Sequence, residues 1–375
     1  MKKALIVANL GGFAGFLISD FKILKEMGYD VYYASNVEQL EWKKELKDEL
    51  DSLNVKIINI GFDTKKSITK NNLKAFFKIK ELLNENFDLI HCHTPIPGIL
   101  VRIAAKKYRR KGTKVIYTTH GLTFNKYTSK KSKIYYYLEK YCSKYCDAVI
   151  TINNEDYKNV LKMNCKNNYY IHGVGVNIKK YASSNIDRVS YRKQLGIDKQ
   201  IMILSIGELS NRKNHQIILK ALSHIKNKNE YVYVICGLEL PGGTSATLKK
   251  MASELGINLK LLGFRNDIPE LIKCSDFGAI PSTREGLGLS GIQSLSAGIP
   301  LIGSDVQGIS DYIIDNETGI KCNPFSEKEY YEGIIKLSDP LYRKKMHDKC
   351  VQMAKKYDIS ISITERKKIY EEILN

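Results

Sequence analysis

The residues best placed to do chemistry fall in four short stretches. The richest runs Pro281-Ser282-Thr283-Arg284-Glu285-Gly286-Leu287-Gly288-Leu289-Ser290-Gly291-Ile292-Gln293 and closes on Ala297-Gly298-Ile299-Pro300. A strand here should end in a glycine-rich loop carrying one carboxylate, and a helix of small residues should follow. Backbone N–H groups of Leu289 and Ser290 at the helix start suit an anion. Glu285 can accept hydrogen bonds from sugar hydroxyls, and Gln293, one to two turns on, can reach a ribose.

A second stretch, Gly207-Glu208-Leu209-Ser210-Asn211-Arg212-Lys213, follows another apolar run. Arg212 and Lys213 stand just before a helix. A cation there is mildly unfavourable and wants a reason. Holding a diphosphate is one, and an ordinary basic first turn is the alternative. A third, Thr118-Thr119-His120-Gly121, puts a histidine at a strand end. Its imidazole either bonds a sugar hydroxyl or is structural. His91 and His93 flank Cys92, and strand alternation points both to one face. The fourth, Asn9-Leu10-Gly11-Gly12-Phe13-Ala14-Gly15, lets backbone approach a ligand or simply makes a tight turn. No C-x-x-C pair occurs, so neither a zinc site nor a thioredoxin motif is expected.

Parallel strands must hold these stretches in place. Apolar runs at 4–8, 30–35, 55–60, 88–92, 114–119, 147–152 and 168–172 alternate with helical patterns near 13–27, 39–53, 71–86, 97–110, 131–146 and 154–164. The pattern restarts after Gly173-Val174-Gly175-Val176-Asn177, with runs at 201–207, 231–237, 259–263, 276–281, 300–304 and 319–323. Strands alternating with helices imply parallel sheets covered on both faces. The fold class is therefore α/β, with two tandem doubly wound Rossmann-like domains facing a cleft. Ligands of such sheets bind beyond the carboxyl ends of the strands, where all four stretches lie.

The 375 residues suit two domains. The net charge of +19 is uneven: residues 1–180 carry 32 Lys and Arg against 17 Asp and Glu. Between Lys106 and Lys144 twelve basic residues, Lys130 and Lys131 among them, face the single acid Glu139. The segment Ser129–Cys146 interleaves lysines with Ile134, Tyr135, Tyr136, Tyr137, Leu138 and Tyr141. Part of that pattern suits core packing, and the basic side suits anionic lipid headgroups. Eight scattered cysteines argue for a reducing compartment. The N-terminal apolar run is broken by Asn9 and Gly11-Gly12 and reads as a strand and loop rather than a signal peptide.

Together these stretches resemble the retaining family-4 glycosyltransferases of GT-B fold. Their signature is Glu, seven residues, Glu, then Ala-x-Gly-x-Pro. The glycine loop, the His-Gly pair, the Gly-x-Leu…Lys element and the interdomain segment Ile171–Asn177 follow in register. The resemblance implies an N-terminal acceptor-binding domain at 1–175, a donor-binding domain at 176–357, and a helix at 358–375 crossing back. It assigns His120, Glu285 and Lys213 to catalysis. The donor would contact Gly12, Gly207, Arg212, Lys213, Gly263, Phe264, Arg265, Glu285, Gly286, Leu287, Gly288, Leu289, Ser290 and Gln293. The acceptor would contact Gly11, Gly12, Gly15, His93 and His120.

Two departures stand out. Gln293 replaces the second signature Glu, and Glu208 stands where many members carry a phosphate-binding Arg, a role open to Arg212. The implied reaction moves a hexose or N-acetylhexosamine from a nucleotide sugar, by family habit a UDP-sugar, with retention and without a metal or other cofactor. The acceptor would be a lipid-pyrophosphate-linked or saccharide chain in bacterial surface polysaccharide synthesis. The enzyme would be cytoplasmic and peripheral on the inner membrane face, with no nucleic-acid partner. The alternatives are a nucleotide-sugar 2-epimerase, a non-catalytic nucleotide-sugar-binding subunit, and, from the charge alone, a nucleic-acid binder.

Overall fold

The computed structural model describes residues 1–37, 44–63, 69–127, 133–183 and 186–375. The start of the helix expected at 39–53, and Ser129, Lys130 and Lys131 of the basic segment, lie outside the described residues. The chain divides into two compact units, Met1–Val174 with Ser360–Asn375, and Gly175–Ile359.

In the first unit seven parallel strands form one sheet: β1 (Lys2–Leu10), β2 (Tyr29–Asn36), β3 (Lys56–Asn59), β4 (Leu89–His93), β5 (Lys114–Thr119), β6 (Ala148–Thr151) and β7 (Asn167–Tyr170). Their spatial order is β3-β2-β1-β4-β5-β6-β7. Every residue from Ala4 to Ala8 is fully buried, because helices cover both faces of the sheet and leave only the two ends of this central strand near water. The helix expected from about Phe13 is divided. Gly11–Phe16 forms a 3-10 segment and the α-helix runs Ile18–Glu26. Leu17, at φ −109° and ψ 0°, breaks the α geometry between them, and tight 3-10 turns are common at such helix starts.

The second unit holds β8 (Ile201–Ile206), β9 (Tyr231–Cys236), β10 (Leu259–Leu261), β11 (Phe277–Ile280), β12 (Leu301–Ser304) and β13 (Gly319–Cys322). The order is β10-β9-β8-β11-β12-β13, again all parallel. The strand sequence reverses direction between β8 and β11, which makes the crevice above them the natural ligand position. Two short helices with no counterpart in the sequence reading, Ile178–Ala182 and Arg188–Gln194, open this unit. The side chains of Asn177 and Asp187 cap them.

The C-terminal helix, Ile359–Leu374, belongs from Ser360 onward to the first unit. Arg366 Nη1 lies 2.5 Å from Asp20 Oδ2, with both side chains buried. All eight cysteines are unpaired and buried. Among the described residues no helix is long and apolar enough to cross a membrane.

Candidate active site

In the second unit the loops after β8 and β11 converge on one carboxylate. Asn211–Lys213 makes a single 3-10 turn. Asn214, in the left-handed region at φ 54°, donates from Nδ2 to the carbonyls of Pro281 and Pro324 at 3.0 and 2.8 Å. The Thr283 amide donates to the Arg212 carbonyl at 2.9 Å. These bonds fix the basic turn against the loop that carries Glu285.

Glu285 Oε1 accepts from Lys213 Nζ, Arg212 Nη1 and Ser282 Oγ, each at 2.8 Å. Arg212 Nη2 also donates to Glu208 Oε1 at 2.8 Å. Burial raises the pKa of Glu285. The charges of Lys213 and Arg212 and the bonds from Lys213 and Ser282 more than offset this and hold it at about 2. The carboxylate is therefore ionised at neutral pH. With three donors on Oε1, Oε2 has no hydrogen-bond partner among the described residues and keeps its acceptor capacity.

Glycine is required where these loops pass closely. Gly288 caps the helix Leu289–Ser296 at φ +75°, and Tyr312 Oη donates to its carbonyl at 3.0 Å. A Cβ there would stand 2.9 Å from that hydroxyl. A Cβ on Gly237 would lie 1.8 Å from the Gly207 carbonyl oxygen. The amides of Leu289 and Ser290, beginning the helix, donate to no backbone carbonyl, as expected of a first helical turn.

Beside this cluster is a cavity of about 400 Å³, lined by Tyr181, Gly207, Glu208, Phe264, Arg265, Gln293 and others. Phe264 is half exposed. Arg265 is held by Asp267, through Nε at 2.8 Å and through Nη2. The cavity thus offers an apolar wall, an amide from Gln293 and fixed charges at one end. Such a mixture suits a nucleotide-sized ligand.

The first unit holds a separate cluster at the carboxyl ends of β1, β4 and β5. His93 Nδ1 and His120 Nε2 are 3.1 Å apart. Phe13, from the Gly11–Phe16 segment, meets the His120 ring edge-on at 4.7 Å between centroids. His91 and His93 share a face, with ring centroids 4.0 Å apart. Burial lowers the pKa of His91 and His120 to about 3 and that of His93 well below its ordinary value, so all three rings are neutral at pH 7.

Comparison with known proteins identifies the family. The family model described as glycosyl transferases group 1 matches residues 187–357, and one described as glycosyl transferase 4-like matches 5–153. The glycosyltransferase EpsD named from Bacillus subtilis (strain 168) is 34% identical over 327 residues, covering 85% of this chain and 82% of that one. This chain belongs to the glycosyltransferase family. An Escherichia coli relative, UDP-Gal:alpha-D-GlcNAc-diphosphoundecaprenol alpha-1,3-galactosyltransferase, is 31% identical over 264 residues, 66% of this chain and 65% of that one. Anabaena HepE, solved with UDP-glucose, superposes with a TM-score of 0.78 at 18% identity over 99% of this chain and 100% of that one. At that identity the likeness shows the fold, which is GT-B.

Within this glycosyltransferase the second unit brings together Gly207, Arg212, Lys213, Glu285 and the loop Gly286–Ser290, with Phe264, Arg265 and Gln293 around the adjoining cavity. The Gly263 carbonyl accepts from the Gly237 amide at 2.9 Å. Gly11, Gly12, Gly15, His93 and His120 lie in the first unit. Gly12, assigned to the donor by resemblance, is therefore carried on the unit opposite in sequence to the rest of that set.

Sequence reasoning missed Tyr181, which lines the cavity beside Gln293, and Phe13, which packs on His120. The Asn177 cap was the available signal for the helix that carries Tyr181. It also missed that Arg212 and Lys213 are ion-paired to carboxylates rather than standing as unengaged cations.

A larger cavity, about 920 Å³, opens at the amino ends of β8 and β11. Its arginines, Arg188, Arg192 and Arg343, converge on Asp276 at 2.8–3.1 Å. Arg192 and Arg343 also donate to the carbonyls of Cys274, Gln200, Leu337 and Ser338. This cluster ties helix ends to the sheet at the end away from the ligand crevice, so the smaller cavity is the candidate site.

Proposed function

We propose that this chain transfers a hexose or N-acetylhexosamine from a nucleotide sugar, a UDP-sugar, to a lipid-linked or saccharide acceptor in surface polysaccharide synthesis. Transfer proceeds with retention and without a metal. The observation that carries this is the convergence of Lys213, Arg212 and Ser282 on Glu285 Oε1 beside the Gln293 cavity.

In this reading the base rests against Phe264 and Arg265, and Gln293 bonds the ribose. Lys213, Arg212 and the Leu289 and Ser290 amides face the diphosphate as preorganised charges. Glu285 Oε2 accepts from hydroxyls of the sugar. The acceptor oxygen bonds the anomeric carbon as the bond to the diphosphate breaks. The acceptor proton passes to a phosphate oxygen of the departing nucleoside diphosphate, and His120 stands by the transferred sugar. The names of the relatives support the substrate class, since one acts on a diphosphoundecaprenol-linked sugar and one was solved with UDP-glucose.

The basic face gives a second, compatible reading: the first unit rests on an anionic membrane at the cytoplasmic surface. In the helix Lys133–Cys142, Ile134, Tyr135, Tyr137 and Tyr141 are exposed alongside Lys133, and Lys140 is partly exposed. The sequence left part of this helix to the core, and only Glu139 and Cys142 are fully buried in it. Glu139, the lone acid of the basic block, faces buried Arg102 at 2.6 Å and so does not neutralise the surface lysines.

The deciding experiment is a thermal-shift panel of UDP, GDP, ADP and their sugars on wild type and Lys213→Ala. A nucleotide at ~100 times its dissociation constant should stabilise by about 2.7 kcal/mol, and Lys213→Ala should weaken the effect. No shift with any nucleotide sinks the donor-site reading. Conversion of the sugar nucleotide with no acceptor present identifies an epimerase, and binding without any turnover identifies a partner subunit.

A further inference from the structure

The histidine cluster of the first unit carries more information than the position of His120 alone. Its hydrogen bonds have a direction, set from the buried end. Asp20 is held by Arg366, and its carboxylate can only accept, so the hydroxyl of Tyr370 donates to Asp20 Oδ1 at 3.0 Å. That proton is then committed. At 2.6 Å from the Tyr370 oxygen, His91 Nδ1 must carry the hydrogen. His91 Nε2 is left as a lone pair, which accepts from Thr118 Oγ1 at 2.7 Å. The polarity of the chain is therefore fixed from Arg366 to Thr118.

His93 sits against this chain with one nitrogen on His120 and the other on nothing. Its Nε2 is buried and has no hydrogen-bond partner, while Nδ1 lies 3.1 Å from His120 Nε2. A neutral imidazole has one N–H and one lone pair, so two arrangements exist. If His120 Nε2–H donated to His93 Nδ1, His93 would carry its own hydrogen on Nε2, a buried N–H with no acceptor. If His93 Nδ1–H donates to His120 Nε2, the buried Nε2 is only an unused lone pair. Orphaned buried N–H groups are the rarer and costlier of the two.

We propose that His93 is a positioning residue that fixes the ring tautomer of His120, forcing the hydrogen of His120 onto Nδ1. Nδ1 of His120 makes no hydrogen bond within the described structure, and the residue is partly exposed. His120 therefore presents a neutral N–H donor to an oxygen of the bound substrate and does not act as a base at that atom. The fixed rings of His91 and Phe13 on either side keep the pair in register. This role rests on the reading that His120 faces the transferred sugar, but the tautomer itself does not.

The test is a long-range proton–nitrogen correlation spectrum of the full chain labelled with ¹⁵N-histidine at pH 7, with His120 assigned from the His120→Gln spectrum. Wild type should show His120 with a protonated Nδ1 and a bare Nε2. In His93→Phe, which cannot donate, His120 should shift toward protonated Nε2. His93→Gln, whose amide can donate to His120, should keep the wild-type pattern. A His120 protonated at Nε2 in wild type, or a tautomer indifferent to His93→Phe, overturns the proposal. In turnover, His93→Phe should lower kcat roughly tenfold, the equivalent of one hydrogen bond, with KM for the nucleotide sugar within about twofold, and His93→Gln should recover most of it. Equal losses in both variants would also overturn it. If wild type transfers no sugar at all, the functional reading falls while the spectrum still decides the tautomer.

Discussion

Lys213 Nζ stands 2.8 Å from Glu285 Oε1, and the two residues are 72 positions apart in the chain. The pair is nearly buried, with side chains 13% and 10% exposed. Arg212 and Ser282 share the same oxygen. One carboxylate thus holds two cations in place and keeps its other oxygen for a ligand.

Glu285→Gln should separate structure from chemistry. Removing the charge leaves two cations facing a neutral amide, and breaking a buried pair in this way costs roughly 3 kcal/mol. Urea unfolding of the second unit should register that loss. The released Lys213 and Arg212 should bind a nucleoside diphosphate at least as tightly as before, while sugar transfer falls by more than about a hundredfold. Calorimetry with UDP alongside a turnover assay checks both. A variant whose turnover falls only as far as its UDP binding weakens would show that Glu285 serves the cations and not the sugar.

The sequence made the frame legible and much of the second site, because both are local. Ala4–Ala8, β9 and most of β8 are buried on both faces and therefore read as nearly continuous apolar runs. Glu285, the Gly288 turn and Gln293 all fall within one loop and the helix after it. What was not legible depends on residues far apart. Asp20 meets Tyr370 across 350 positions, and nothing in either neighbourhood names the other. The pairing of Arg212 and Lys213 with Glu285 is hidden for the same reason. The helix Ile178–Ala182 has five residues, too few for a period of 3.6 to show, so Tyr181 stayed out of view.

Gln293 tests how far the departure from the family signature matters. It lines the cavity with Tyr181 and Glu208. A carboxylate in its place would form charge-assisted bonds to a ribose, about twice as strong as those of an amide. Glu208 is already engaged by Arg212, so its repulsion should be modest. Gln293→Glu should tighten UDP binding about fivefold, near 1 kcal/mol, and Gln293→Ala should weaken it by a similar factor. Calorimetry on the three proteins decides, and equal affinities would place the ribose elsewhere.

Acid should destabilise the two units unequally. His91 and His120 are depressed to about 3 and His93 well below its usual range, chiefly by burial, and His215 to about 4. The sign follows from linkage. Above about pH 6.5 these groups are neutral in both folded and unfolded chains and contribute no pH dependence. Below it the unfolded chain takes up protons that the folded chain refuses, so stability falls as pH falls toward about 4, by up to about 1.4 kcal/mol per pH unit for each group. Three of the four lie in the first unit and one in the second. The pairing of Glu285 adds its own loss in the second unit only below the ordinary carboxylate range, as pH falls toward about 2. Between pH 6.5 and 4.5, hydrogen exchange of β4 and β5 amides should therefore accelerate more steeply than that of β8 and β11. Parallel slopes would mean that the cluster titrates in the folded chain.

The membrane reading turns on the helix Lys133–Cys142 and its flank. Lys133, Lys140 and Lys144 accompany the exposed Ile134, Tyr137 and Tyr141. A lysine near an anionic surface contributes about 1 kcal/mol, so replacing all three by Gln should weaken binding to phosphatidylserine-containing vesicles by roughly a hundredfold. Tyr137→Ser should weaken it further and without salt dependence, since that contact is apolar. Because Glu139 is already paired with Arg102 inside the fold, Glu139→Gln should unfold the first unit rather than strengthen vesicle binding. Flotation in low and high salt measures each effect. Retention of the triple-Gln variant on anionic vesicles would remove this helix as the docking face, and salt-sensitive binding to RNA in place of vesicles would return the basic block to the nucleic-acid alternative.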